Sequence, residues 1–294
     1  MKTGIFSDVS NADYHGGPGI SKSGLDLIAQ SPLHYWARYI NPDRERQEPT
    51  PAMLIGTAIH SAVLEPELFD SEYVVVPEDA PKRPSVTQLN AKKPSDDTLA
   101  AIDWWHGFNE AAAGKAVLSS ADYAACTAIA GQVRSHPAAR VLFTNGVAEQ
   151  SAYWVDDETG VQCKCRPDWL IAGVAIVDVK SSENASAAAF QRSVVSWRYH
   201  VQAAWYLDGI RAATGENLQA FMFAVFEKKP PYASAFYYAD ADMLEIGRRE
   251  YRRNLALYAD CMSRNVWPGY SSEILPISLP TWVLNAANDN QEKA

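Results

Sequence analysis

The feature that most constrains the fold is a pair of apolar segments joined by a tight-turn signal. Residues 162–171 and 174–180 are rich in β-branched, aromatic and small apolar side chains, and Ala172-Gly173 separates them. This pattern predicts two antiparallel strands that form a hairpin. Because apolar residues occupy both faces of these strands, the pattern favours a buried central hairpin over an exposed one.

Charged side chains stand at the ends of this hairpin, away from the turn. If the turn is centred on Gly173, Asp168 faces Asp178 and Arg166 faces Lys180. Opposed Cβ atoms on antiparallel strands are ~4.5–5.5 Å apart, so the two carboxylates repel unless a proton or a cation lies between them. Oxygen ligands of this kind suit Mg²⁺ or Mn²⁺, as one or two ions. Lys180 shares a face with Asp178, since side chains two residues apart on a strand point the same way.

This arrangement suits the hydrolysis of a phosphodiester. The reaction needs an activated water, stabilisation of the charge that develops on the phosphate, and neutralisation of the leaving oxygen. A divalent ion held by two carboxylates supplies most of these, and a lysine beside them can hydrogen-bond the attacking water. Two other interpretations use the same residues: a surface hairpin that carries ordinary solvated charges, and a hydrolase of small phosphoesters.

The rest of the pattern predicts a mixed α/β (α+β) protein. Serines at 21, 31, 95 and 119 can cap helices, and a further helix is expected over 52–64, so residues 1–145 are predicted to be mostly helical. We predict strands over 149–155, 162–171 and 174–180, helices over 185–195 and 197–212, strands over 220–226 and 232–238, and a last helix over 240–264. This order indicates a central mixed sheet flanked by helices.

Composition narrows the class of protein. No apolar run approaches the ~20 residues that span a bilayer, and no secretory signal is evident, so we expect a cytoplasmic protein without a membrane partner. The four cysteines, at 126, 163, 165 and 261, lack the spacing of zinc or iron–sulfur sites, which predicts reduced structural thiols. The net charge of −9 disfavours nucleic-acid binding by itself, but basic clusters such as residues 248–253 can form a local basic surface.

Several short motifs resemble the PD-(D/E)XK nuclease superfamily. The first is Pro167-Asp168 with Asp178-Val179-Lys180. Residues 56–60, which end in His60, resemble the G-x-x-x-H element of the RecB-like branch, in which the histidine is a metal ligand. The resemblance implies a restriction-endonuclease-like core in which His60, Asp168, Asp178 and the Val179 carbonyl hold Mg²⁺, with Mn²⁺ as a substitute, and Lys180 orients the attacking water.

Further residues are assigned through the same resemblance. Gln202 and Tyr206 match the Q-x-x-x-Y element that helps to position the DNA end, and they share a helix face. Glu149 resembles an additional acidic residue that some of these exonucleases place near the metal. Arg198, one turn before Gln202, and Arg166 are predicted to contact DNA.

Each of these residues also has a structural interpretation. The histidine is then a core or capping residue, the glutamine and tyrosine form an internal pair on an amphipathic helix, and the glutamate is a charge at the edge of a strand. Such alternatives are common for single polar residues.

Over roughly residues 18–260 the chain most resembles the C-terminal domain of exodeoxyribonuclease VIII (RecE) and its phage relatives, with residues 20–25 and 31–35 as the N-terminal element. This implies a single nuclease domain over 1–284, with a helical part over 1–145 that carries His60, a nuclease core over 146–264, and a polar tail over 285–294.

The resemblance also implies an activity and partners. Such enzymes degrade linear double-stranded DNA from its ends, 5′ to 3′, and leave 3′ single-stranded tails for a RecT/Redβ-like annealing protein to use in recombination. Relatives form rings, so a homo-oligomeric ring is expected. The alternatives are an endonuclease of the restriction or repair type and a catalytically inactive DNA-binding relative, although Asp168, Asp178 and Lys180 are all present.

Overall fold

The computed structural model describes residues 2–44 and 50–281, and the predicted polar tail lies outside them. Within these ranges the helices are α1 (Asn11–Gly16), α2 (Lys22–Gln30), α3 (Pro32–Tyr35), α4 (Pro51–Leu64), α5 (Pro66–Glu72), α6 (Val86–Leu89), α7 (Asp96–Ala111), α8 (Ser120–Ser135), α9 (Pro137–Leu142), α10 (Ala187–Ser196), α11 (Tyr199–Thr214) and α12 (Ala241–Arg264). A π-helical turn, Trp36–Ile40, continues α3. The strands are β1 (Gly4–Phe6), β2 (Tyr73–Val75), β3 (Ala116–Leu118), β4 (Val147–Ala148), β5 (Ser151–Val155), β6 (Gln162–Cys165), β7 (Trp169–Ile171), β8 (Ala175–Ser182), β9 (Ala220–Glu227) and β10 (Ser234–Tyr238).

A five-stranded mixed sheet forms the centre of the molecule, in the order β10-β9-β8-β7-β4. β8 and β9 run parallel, and the other neighbouring strands of this sheet are antiparallel. A second sheet, β1-β5-β6, is antiparallel, and β2 pairs with β3 in parallel. The predicted mixed sheet with flanking helices and a largely helical N-terminal half is confirmed.

Strand β8 separates two hydrophobic cores. Ile176 packs on one face with Trp205 of α11, in the core that also contains residues of α2 and α12. Val177 points to the other face and packs with Ile59 of α4 and Ile129 of α8. Since alternate strand residues face opposite ways, two cores require a strand that is apolar on both faces. Each such side chain contributes about 1.5–3 kcal/mol when fully buried.

The predicted helix starts rest on serine caps. Ser21, Ser95 and Ser119 each accept a hydrogen bond from the backbone N–H three residues later, at the beginning of α2, α7 and α8. Ser31 begins α3 without such a bond, and Pro32 takes the first helical position. These four predictions are confirmed.

Two predicted strands are present but are interrupted or shortened where the chain passes between the sheets. The expected strand over 162–171 is β6 in one sheet and β7 in the other, and Pro167 between them cannot donate a ladder hydrogen bond. The expected strand over 149–155 begins only at Ser151, since Glu149 adopts a left-handed backbone conformation with φ 52°. Both breaks lie beside the candidate site.

Two predictions from composition can be compared with the structure. All four cysteines are buried and unpaired, as expected for structural thiols. Within the described ranges, no helix has both the length and the apolar character that crossing a membrane would require.

Candidate metal centre

The β7–β8 hairpin brings Asp168 and Asp178 together as predicted. Its register pairs Trp169 with Val177 and Ile171 with Ala175 around the turn. One residue further from the turn, Asp168 lies opposite Asp178, and Asp168 Oδ2 accepts a hydrogen bond of 2.7 Å from the N–H of the next β8 residue, Val179. Asp168 is 9% exposed and Asp178 is fully buried.

Three side chains from distant parts of the sequence converge beside this hairpin. One ligand atom from each of His60, Glu149 and Asp168 lies within 4.8 Å of the other two. His60 belongs to α4, Glu149 lies between β4 and β5, and Asp168 directly precedes β7. The Nδ1 atom of His60 is 3.6 Å from Asp168 Oδ2. A nitrogen and carboxylate oxygens are thus gathered at one point.

The left-handed backbone of Glu149 helps to build this group. Its N–H donates to the Asp168 carbonyl at 3.0 Å, which joins the two residues directly. A non-glycine residue in this conformation costs about 1–3 kcal/mol unless its surroundings hold it, and such residues concentrate at functional sites. The Glu149 carboxylate also accepts from Arg166 Nε at 2.7 Å. The prediction that Arg166 faces Lys180 is therefore wrong, because β6 has already left the hairpin at that point.

The hydrogen bonds of His60 determine which ring nitrogen is free. Its Nε2 lies 2.9 Å from the Val179 carbonyl oxygen, which can only accept, so Nε2 carries the proton. Burial lowers the pKa of His60, and Lys180 adds to the lowering, which favours the neutral ring. The lone pair of Nδ1 then faces Asp168. A carbonyl partner that fixes the tautomer is usual for a metal-binding histidine.

Asp178 lies beside this group with its own partners. Its Oδ1 accepts from Gln202 Nε2 at 2.6 Å, and its Oδ2 forms an ion pair with Lys180. Gln202, on α11, therefore bonds to the carboxylate rather than to Tyr206, one turn later on the same helix. Tyr206 is half-buried with its ring 6.0 Å from that of Phe221.

Sequence reasoning missed Tyr199. Its ring lies 4.5 Å from the Lys180 ammonium and 6.0 Å from that of Lys22 at the start of α2. A cation over an aromatic face is stabilised by the ring quadrupole. The available signal was spacing, since Tyr199 lies three residues before Gln202 and shares its helix face.

Arg198 has a different environment from the one predicted. It caps α11 in a left-handed conformation, and its guanidinium pairs with Asp26 of α2 and Glu250 of α12. Gln202 N donates to the Arg198 carbonyl at 3.2 Å. Arg198 thus fixes the beginning of the helix that carries Gln202, and a direct phosphate contact stays a prediction.

The surroundings of Asp168 and Glu149 disfavour the charged forms of their carboxyl groups. Burial, then the charge of Asp178, raises the pKa of Asp168 well above its usual value. Burial, then Asp168, raises the pKa of Glu149 to about 7 despite Arg166. For Lys180, burial alone would lower the pKa, but Asp178 and Asp168 outweigh burial and raise it.

These observations fit a divalent cation. Glu149, Asp168 and Asp178 provide three carboxylates, and the basic partners in direct contact with them are Arg166 and Lys180. A hard cation between carboxylate oxygens and an imidazole nitrogen would remove the repulsion that raises the carboxyl pKa values. His60, Glu149 and Asp168 are the residues best placed to hold it, with Asp178 adjacent.

Comparisons with known proteins concern the family and the fold of the chain. The sequence matches a family model described as a PDDEXK-like domain of unknown function (DUF3799) over residues 21–277. The fold is similar to a crystal structure from Eubacterium rectale named "Putative exonuclease", with a TM-score of 0.59, 16% sequence identity, and coverage of 97% of this chain and 99% of that chain. The alkaline exonuclease LHK-Exo of Laribacter hongkongensis is similar over 46% of this chain and 71% of that chain, with 15% identity and a TM-score of 0.25. No curated protein matches the sequence significantly.

Proposed function

Since the chain belongs to the PDDEXK-like family whose model matches residues 21–277, we propose that it is a divalent-metal-dependent exonuclease that hydrolyses DNA. The name of the Eubacterium rectale structure agrees with this activity, but at 16% identity that likeness concerns the fold. The activity is therefore argued from the site.

The observation that carries the proposal is the convergence of His60, Glu149 and Asp168 next to the Asp178–Lys180 pair. Buried carboxylates are costly unless a cation or a hydrogen-bond partner compensates them. Lys180 and Arg166 compensate in part, and the raised pKa values of Asp168 and Glu149 indicate that compensation is incomplete. A site that binds a divalent ion resolves this imbalance.

We assign His60, Glu149 and Asp168 as ligands of the first ion, with Asp178 as the ligand shared with a second. The Val179 carbonyl accepts from His60, and because a carbonyl oxygen has two lone pairs, we assign the second to an ion. When bound, such a cation would polarise a water and neutralise charge that develops on the phosphate.

The remaining residues of the site bind the substrate or orient the groups that react. Lys180 lies at the edge of the metal ligands with a raised pKa, so it remains protonated and can hydrogen-bond the attacking water and offset negative charge. Gln202 holds the Asp178 carboxylate in one orientation. Tyr206, on the same helix face, is assigned to the DNA end, and Arg166 orients Glu149.

The finer assignment follows the likeness to exodeoxyribonuclease VIII and its phage relatives. We propose Mg²⁺ as the physiological ion, linear double-stranded DNA as the substrate, 5′-to-3′ degradation, and 3′ tails for a RecT/Redβ-like annealing protein. We also propose a homo-oligomeric ring, whose central channel would gather basic residues of several subunits in a chain of net charge −9. Light scattering that gave a monomer alongside processive degradation would exclude the ring.

The test is digestion of end-labelled duplex DNA with Mg²⁺. We expect a linear plasmid to be degraded and the covalently closed circle of the same sequence to resist, with early release of the 5′ label. Duplexes with 5′-phosphate and 5′-hydroxyl ends, compared side by side, report how the enzyme recognises the end. Cleavage of the closed circle would instead support the endonuclease, and DNA binding without cleavage would support an inactive relative.

A further inference from the structure

Trp197 presents its indole to solvent at the junction of α10 and α11. Its side chain is 65% exposed, and Val195 two residues earlier is 71% exposed. Large aromatic side chains are usually well buried, so an exposed tryptophan indicates a binding role when its surroundings also favour a ligand.

The backbone that carries this indole is fixed from two sides. The Trp197 N–H donates to the Ser193 carbonyl at 2.9 Å, and the Trp197 carbonyl accepts from Lys22 Nζ at 2.7 Å. The next residue, Arg198, is held by ion pairs to Asp26 and Glu250. The exposed ring therefore projects from a rigid base, which reduces the entropy lost on binding.

The same contacts connect Trp197 to the catalytic lysine. Lys22, which binds the Trp197 carbonyl, lies 6.0 Å from the centre of the Tyr199 ring, and Lys180 lies 4.5 Å from the centre of that ring. Trp197 thus lies two residues before α11, the helix whose first turns carry Tyr199 and Gln202.

The charge of this segment suits a polyanion. Residues 184–207 contain no Asp or Glu, although the whole chain has a net charge of −9. Arg192 is exposed one helical turn before Val195 and Ser196. Lys22 and Arg198, at the base of Trp197, are both paired with Asp26, so Arg192 is the exposed cation of this segment. An exposed aromatic face on the same segment as a basic side chain can bind the bases and the backbone of a single strand.

We propose that Trp197 stacks on an unpaired nucleobase of the DNA strand whose phosphodiester enters the metal centre. This rests on the proposed function, and it adds a residue that holds the strand end. Stacking depends on the π-face of the base rather than on its hydrogen bonds, so the contact tolerates any sequence. It would position the strand without taking part in the chemistry.

The experiment compares Trp197→Ala, Trp197→Phe and Val195→Ala, the last as a control that removes exposed apolar surface without an aromatic ring. On a linear duplex with Mg²⁺, we expect Trp197→Ala to raise KM roughly 5- to 100-fold with kcat little changed, because a stacking contact present throughout the reaction is lost. Trp197→Phe should retain much of the affinity, and Val195→Ala should resemble wild type.

A fluorescence measurement reports stacking directly. In an Asp178→Ala background, which prevents cleavage, a duplex with 2-aminopurine at the end of the cleaved strand should be quenched on binding, and Trp197→Ala should remove that quenching. Wild-type KM and unchanged quenching in Trp197→Ala would overturn the stacking while leaving the nuclease intact. If Trp197→Ala changed the oligomeric state but not the DNA affinity, the indole would belong to a protein–protein interface, and the stacking proposal would also be overturned. If the wild-type protein neither binds nor cuts DNA, both proposals fall.

Discussion

Two clusters of buried or partly buried carboxylates in the described part of the chain are compensated differently. In the Asp208 cluster (Asp208, Arg248, Tyr251), the carboxylate receives two hydrogen bonds from one guanidinium, at 2.7 and 3.0 Å, and one from the tyrosine hydroxyl at 2.6 Å. Burial alone would raise the pKa of Asp208, but these hydrogen bonds outweigh burial and lower it.

In the candidate metal-site cluster (His60, Glu149, Asp168, Asp178), the pKa values shift in the opposite direction. The pKa values of Asp168 and Glu149 are raised, since burial and mutual repulsion exceed what Arg166 and Lys180 provide. Burial of acids is therefore not sufficient evidence for a metal site. The two clusters differ in whether hydrogen-bond donors and basic side chains of the protein fully compensate the negative charge. Of the two, only the second has uncompensated negative charge that a cation could neutralise.

The same reasoning shows why most arginines of α12 do not form a free basic surface. Residues 248–253 were predicted as part of a basic surface, but Arg248 pairs with Asp208, Arg249 with Glu245, and Arg252 with Asp156. Most of this positive charge compensates acids of the protein itself. Residues 184–207 contain no Asp or Glu. Their Arg198 is likewise paired, with Asp26 and Glu250, but their Arg192 is exposed.

The largest expected effect comes from Asp178→Ala. Loss of one group that stabilises charge typically lowers kcat by about 10²–10³. Asp178 is a proposed metal ligand and also pairs with Lys180, so we expect a loss of about a thousandfold or more. Cleavage rates on a linear duplex measure it, with Asp208→Asn as the matched control in the compensated cluster. Residual activity above about a tenth of wild type would contradict the role of Asp178.

Lys180→Ala should have the next largest effect on catalysis. The lysine is the cation closest to Asp178, and removing one such group costs about 2.7–4 kcal/mol of transition-state stabilisation. Single-turnover cleavage rates measure the loss, and Lys228→Ala, which removes a surface lysine paired with Glu183, controls for charge. A near-normal rate would mean that water activation does not need Lys180.

Local patterns predicted the part of the site that local geometry determines. The turn at Gly173 and the apolar run around it were enough to place Asp168 opposite Asp178, since an antiparallel register follows from the position of the turn. His60 and Gln202 entered through motif resemblance, and the structure places both within hydrogen-bonding distance of β8.

Long-range geometry was not predictable in the same way. The chain passes between the two sheets at Pro167, so Arg166 lies away from Lys180 and donates a hydrogen bond to Glu149 instead. The left-handed conformation of Glu149 depends on its bond to the Asp168 carbonyl, which no local propensity encodes. Strands of two or three residues, such as β1 and β4, are also too short for an alternating pattern to be recognised.

The two clusters should respond to neutralisation with opposite signs in metal-free protein. Asp208→Asn removes charge-assisted hydrogen bonds and leaves Arg248 without its partner, which we expect to cost about 2 kcal/mol of the free energy of unfolding. Asp168→Asn removes a repelling charge and keeps an acceptor for the Val179 N–H, so stability should stay equal or rise. Urea unfolding in a chelator measures both, and destabilisation of similar size in both variants would remove the distinction between the clusters.

The smallest expected effect is a pH dependence that Glu149→Gln should reduce. The pKa of Glu149 is about 7 in the folded protein, against an ordinary value of 4.5. Between these values the folded state binds more protons than the unfolded state, so the contribution of Glu149 to stability falls as pH rises from about 4.5 to about 7.

His60 has the opposite effect on the pH dependence of stability, because its pKa is lowered on folding. The contribution of Glu149 is therefore obtained from the difference in the free energy of unfolding between wild type and Glu149→Gln. A pKa that moves from 4.5 to about 7 corresponds to about 3 kcal/mol at most, since each pKa unit is worth about 1.4 kcal/mol, and solvent screening of a side chain that is 30% exposed reduces this value. In metal-free protein we therefore expect wild type to lose on the order of 1 kcal/mol relative to the variant across this range. Mn²⁺ should reverse the trend, since a cation binds the deprotonated carboxylate more tightly as pH rises. If the free energy of unfolding of the two proteins varied with pH in the same way, both with and without Mn²⁺, Glu149 would lie outside the metal centre.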